Sequence, residues 1–95
     1  MADKQLNSND SIIYVGNKQP MKYVLGVVTQ FQNGSEEVFV KARGRLISKA
    51  VDVVEILRNK LMKEVNVNNI ETSTQKITGD KGDVNVSVIS IRLLK

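Results

Sequence analysis

Four basic residues fall within nine positions of the stretch Lys41-Ala42-Arg43-Gly44-Arg45-Leu46-Ile47-Ser48-Lys49, and no acid stands among them. Guanidinium groups take phosphate oxygens through paired N–H bonds, and ammonium groups add point charge. Gly44 lies between the two arginines, where a missing Cβ lets the backbone turn sharply and lets a ligand come close. The stretch follows an apolar run, Val38-Phe39-Val40, that reads as a buried strand. It leads into a helical pattern through Ile47, Ala50, Val54, Leu57 and Leu61. Unpaired N–H groups and a partial positive charge at the start of that helix add to the same field. The chemistry this suits is the grip of a phosphate or another anion.

Long charged side chains are mostly exposed in any protein, so a basic loop is often only solvated. The distribution of charge argues for more than that. Residues 1–40 carry three bases and four acids, residues 41–63 seven bases and two acids, and residues 64–95 four of each. The middle block, at +5, therefore holds the whole positive excess of a chain whose net charge is +4. A field gathered into one block suits a polyanionic partner better than it suits a surface made for solubility.

Histidine and cysteine are both absent. That removes the commonest general base, the thiol nucleophile, any disulfide framework and the usual transition-metal ligands. Asp52 and Glu55 lie about one helical turn apart, but on a helix so rich in Lys and Arg they read as members of local ion pairs. The glycines form neither a P-loop nor a dinucleotide fingerprint. Asp80 and Asp83 lack the spacing and terminal Glu of a calcium loop. The reading is a protein that is no enzyme and needs no cofactor and no metal. With no apolar leader and no apolar run of membrane length, the expected place is cytoplasmic, with no membrane partner.

The elements that must position these groups follow from the patterning. Residues 1–10 are polar and aperiodic and read as a flexible N-terminal arm, leaving residues 11–95 as one small domain. Ile12-Ile13-Tyr14-Val15 predicts a first strand, closed by a turn at Gly16-Asn17-Lys18-Gln19. Pro20 opens a helix that carries Met21, Val24, Leu25, Val28 and Phe31 on its apolar face and stops at Asn33-Gly34. Residues 36–41 predict the second strand, with Phe39 as well as Phe31 in the core, since the four aromatics match no stacking motif of single-strand RNA readers.

The second helix, residues 46–63, has a wide apolar arc of Ile47, Ala50, Val51, Val54, Leu57 and Leu61, flanked by Leu46 and Val53, with Ile56 near the polar side. Arg58 projects into that arc, where its head either reaches water along an apolar stem or finds a partner. Residues 65–77 and 84–94 predict a long hairpin around the turn Gly79-Asp80-Lys81-Gly82-Asp83. In the last strand Val84, Val86 and Val88 face one way and Ile89, Ile91 and Leu93 the other. The second set is expected in the core, and the first needs either a bulge that resets the face or a partner chain.

The run Lys41-Ala42-Arg43-Gly44-Arg45-Leu46-Ile47-Ser48-Lys49-Ala50-Val51-Asp52, with Glu55-Ile56-Leu57-Arg58-Asn59 after it, closely resembles the archaeal Alba (Sac10b) family of chromatin and RNA-binding proteins. Gly16-Asn17-Lys18, Met21 and Tyr23-Val24-Leu25 resemble that family's first strand–helix junction, and Val86-Ser87 with Ile89 and Ile91 its last strand. The resemblance implies an α+β fold, a single βαβαββ domain similar to the C-terminal domain of bacterial initiation factor three. It also implies a homodimer with extended β-hairpin arms. As its function it implies largely sequence-independent binding of double-stranded DNA, and of RNA, in a chromosome-associated role.

Lys18, Arg43 and Arg45 occupy the family's backbone-contact positions, and Lys22, Lys41, Lys49 and the arm-tip Lys81 add to the field. Lys18 is also the residue the resemblance offers for acetylation. Asn17 stands where the family commonly has a first lysine, and Leu61 where it often has an aromatic that packs neighbouring dimers. An alternative of another class is an RNA-binding subunit of a ribonucleoprotein, similar to the Alba-like components of ribonuclease P. A heterodimer with a paralogue would favour that alternative.

Overall fold

A computed structural model of the chain describes residues 11–95, and the expected N-terminal arm, residues 1–10, lies outside them. The order is β1 (Ile12–Tyr14), α1 (Pro20–Gln32), β2 (Glu37–Arg43), α2 (Ile47–Ile56), β3 (Asn66–Gly79) and β4 (Gly82–Leu94). This is the βαβαββ arrangement expected. The four strands form one sheet in the order β1-β2-β4-β3. β1 and β2 are parallel, with Tyr14 opposite Lys41, whereas β2–β4 and β4–β3 are antiparallel. The parallel pair needs a crossover, and α1 supplies it across one face of the sheet.

Helix α1 starts where Pro20 fills its first turn without wasting an N–H. It ends in a paired-bond cap: Ser35 N–H reaches the Gln30 carbonyl at 3.1 Å and Gly34 N–H the Phe31 carbonyl at 3.1 Å. Gly34, at φ 106, has the left-handed backbone this cap requires. The buried face of α1 is Val24, Val27 and Phe31, with Tyr23 and Val28 packed at its edges, so the contact stripe is rotated towards Val27 from the expected apolar face. Met21 and Leu25 are left outside it, Leu25 being 53% exposed.

The helical segment after β2 changes its hydrogen-bond pattern twice. A 3₁₀ turn (Gly44–Leu46) precedes α2, and a π turn (Leu57–Leu61) follows it. Ala50, Val53, Val54 and Leu57 are buried against the sheet, while Val51 is exposed. Ile56, expected near the polar side, is partly buried against the core. The π turn explains the end of the stripe. Met62 N–H bonds the Leu57 carbonyl, five residues back, at 2.8 Å. That extra residue swings the face, so Met62 enters the core and Leu61 stays 49% exposed. Arg58, half exposed, finds a partner within its own helical run, Glu55, at 3.0 Å.

Among the described residues, helices cover only one face of the sheet. Strand alternation sends Val38, Val40 and Ala42 of β2, and Ile89, Ile91 and Leu93 of β4, into the core. Phe39 therefore lies on the opposite, open face and is only partly buried, so it is not the core residue expected. Phe31 is. On β4 the expected two faces are both present, but no bulge resets them. The single register shift lies across from it, between Val67 and Asn69 of β3. Val84, Val86 and Val88 thus keep to the open face, beside Arg43. Beyond the core the β3–β4 ladder runs on as an exposed arm to a two-residue loop, Asp80-Lys81.

Candidate nucleic-acid interface

Because β1 and β2 are parallel neighbours, the loops that follow them emerge at the same end of the sheet. The first loop carries Lys18, and the second carries Arg43, Gly44 and Arg45. The hydrogen bond from Val15 N–H to the Lys41 carbonyl, at 2.9 Å, extends the pairing right to that end. Two segments far apart in sequence are thereby delivered to one edge of the molecule.

At the second loop Arg43 closes β2 in extended backbone, φ −138 and ψ 155. Gly44 then reverses the chain at φ 60, in the left-handed region. A Cβ there would meet only Val86 Cγ1, at 3.7 Å, so the demand for glycine is one of backbone conformation and not of space. Arg43 and Arg45 flank the turn, both exposed. Arg43 Nη1 donates to Gln75 Oε1 of β3 at 3.3 Å, which links the turn to the arm.

At the first loop the backbone is braced from two sides. Lys49 of α2 donates through Nζ to the carbonyls of Gly16, at 3.0 Å, and of Lys18, at 2.9 Å. The Lys18 N–H donates to the Tyr23 hydroxyl of α1 at 3.0 Å. That hydroxyl lies where a Cβ on Gly16 would approach to 3.0 Å, so Gly16 makes room for the brace. The Lys18 side chain itself points to solvent, and Lys22 is exposed in the first turn of α1.

The remaining predicted residues are spread out. Lys41 sits on the open sheet face, its ammonium 5.8 Å from the centroid of the Phe39 ring. Lys81 is at the arm tip, roughly 20 Å beyond the Arg43–Val88 pair at about 3.3 Å per residue. Near it Asp83 pairs with Lys76 at 3.7 Å, an exposed contact of little stabilising weight. Among the described residues no cluster of acids could hold a metal ion, and no helix is long and apolar enough to cross a membrane. Sequence reasoning missed Tyr23 and Gln75, because a hydroxyl and an amide that act by reaching another element leave no periodic signal.

A basic turn, a braced lysine loop and a projecting hairpin on a βαβαββ sheet form a combination that can be compared with known proteins. The Alba family model matches residues 11–74. The chain belongs to the Alba family. It is 50% identical over 86 residues to the DNA/RNA-binding protein Alba 1 of Archaeoglobus fulgidus, covering 90% of this chain and 97% of that one. It is 54% identical over 84 residues to the DNA/RNA-binding protein Alba of Methanoculleus marisnigri, covering 88% and 92%. Alba from Thermoplasma volcanium has the same fold, with a TM-score of 0.84 and 48% identity over 88% of this chain and 99% of that chain.

Proposed function

We propose that this chain is a dimeric, largely sequence-independent binder of double-stranded DNA that also takes RNA, with a chromosome-associated, architectural role. Relatives named DNA/RNA-binding proteins support the nucleic-acid partner. The observation that carries the mode of binding is the convergence of Lys18 and the Arg43-Gly44-Arg45 turn at one end of the sheet. Groups that neutralise phosphates there need read no base edge, so duplexes of any sequence bind alike. Lys22, Lys41 and Lys81 add to the field, the last reaching a more distant phosphate along the arm. Lys49 contributes its charge from beneath the first loop, where it holds the Lys18 backbone in place. Acetylation of Lys18 would remove one exposed cation from the face.

The dimer is supported by apolar side chains that the single chain leaves exposed: Leu61, Val51, Leu25 and, at the root of the arm, Ile70. A domain this small gains from sharing such surface with a second copy. Competition of unrelated duplexes against one labelled duplex, at one stated salt concentration, tests the binding mode. Similar affinities are expected, and a strong preference for one sequence refutes it. Structured RNA in the same assay ranks the two ligands. Sedimentation equilibrium at micromolar concentration should give about twice the chain mass, and a clean monomer that still binds DNA refutes the dimer.

A further inference from the structure

The open face of the sheet holds a groove that phosphate contacts alone do not use. It is lined by Tyr14, Lys41, Arg43, Leu46, Gln75 and Val88, with a cavity volume of about 490 Å³. That is within the ~300–1,000 Å³ of ordinary small-ligand sites. Tyr14 stands on the edge strand with 69% of its surface exposed among the described residues, which leaves most of its ring open to a flat partner. Leu46 and Val88 supply apolar walls. Among the described residues two cations line the groove and no acid does, whereas Glu37 and Glu71 lie further along the same face. Gln75 accepts the Arg43 bond through Oε1, which turns its amide nitrogen, a double donor, to the other side.

We propose that this groove receives an unpaired nucleobase, stacked on Tyr14, with its flanking phosphates on Lys41 and Arg43. The inference rests on the phosphate reading of Arg43 and goes beyond it, since a duplex gripped by its backbone offers no base for stacking. Flat π surface beside negative charge is what an unpaired stretch of RNA or single-stranded DNA presents. A second copy of this chain fits the groove poorly, because covering it would bury Lys41 and Arg43 with no acid among the lining residues. An acidic peptide would meet the cations but leave the Tyr14 ring without a flat partner. Lys41, held near the Phe39 ring, keeps its charge at the rim of the groove, where the strand's backbone must pass.

The test uses single-stranded RNA and single-stranded DNA carrying a fluorescent adenine analogue, alongside a fully paired duplex. Stacking quenches the analogue. Wild type should quench it, and Tyr14→Leu should abolish the quench and weaken single-strand binding roughly 5- to 150-fold, the range of one lost aromatic–base stack. Tyr14→Phe should keep both. Duplex affinity and the thermal melt should be the same for all three proteins. Quenching with RNA alone or with both strands identifies the source of the base. Persistence of the quench in Tyr14→Leu, or an equal loss of duplex binding, overturns the proposal. If wild type binds the duplex with no dependence on Arg43 and Arg45, it is the phosphate reading that fails.

Discussion

Replacing Arg43 and Arg45 together by alanine removes the two exposed guanidinium groups of the β2–α2 turn. The structure sets the size of each consequence. Neither side chain is in the core, and the hydrogen bond from Arg43 to Gln75, at 3.3 Å, is a surface contact. The stability change should therefore stay within about half a kcal/mol. Binding should change far more. A dimer presents both arginines twice, so about four phosphate contacts are lost, each worth about 0.9 in the slope of log K against log salt. The slope should become shallower by roughly 3–4 units. Between about 50 and 200 mM salt, wild type should then lose on the order of 150-fold more affinity than the variant does. Anisotropy titrations of labelled duplexes over a salt series measure this directly. Lysine at both positions should restore part of the affinity, since charge returns without the planar fork. An unchanged slope with an intact melt would show that the turn is only solvated and that the phosphate site lies elsewhere.

Phe31→Ala should cost about 3–5 kcal/mol, and Phe39→Ala less, ~2 kcal/mol, because that ring is only partly buried; equal losses in chemical denaturation would contradict the open face. Lys49→Met should free the first loop, seen as faster amide exchange at Lys18, and should weaken duplex binding. In a double-mutant cycle that weakening should largely vanish in a Lys18→Ala background, and simple additivity would make Lys49 an independent phosphate contact. Gly44→Ala should lower stability by about 1–2 kcal/mol through its left-handed backbone. A melt unchanged by that substitution would mean the turn relaxes to another conformation.

Much of the fold was legible in the chain because each element carries a local signature. Pro20 and Asn33-Gly34 bracket α1, the Gly79–Asp83 cluster marks the hairpin turn, and the alternation of Ile89, Ile91 and Leu93 selects the buried face of β4. The Arg43-Gly44-Arg45 turn was legible for the same reason: charge, a backbone reversal and a strand-to-helix change coincide in a few neighbouring residues. Met62 was missed as a core residue because the change from α to π bonding at Leu57 swings the face, and no residue type announces it. Phe39 was misplaced because an apolar run shows that a strand is apolar on both sides, not whether both sides are covered.

Local sequence thus determined the elements, their order and the basic turn, since those depend on steric and charge preferences acting over a few residues. Only the tertiary structure decided which faces are covered. It placed Lys49 and Tyr23 as braces under the Lys18 loop, and it put Tyr14, Lys41, Arg43 and Gln75 around one groove. Tyr14, Arg43 and Gln75, like Lys18 and Lys49, are separated by tens of positions in the chain. Strand pairing brings them together, and it depends on the register of the whole sheet.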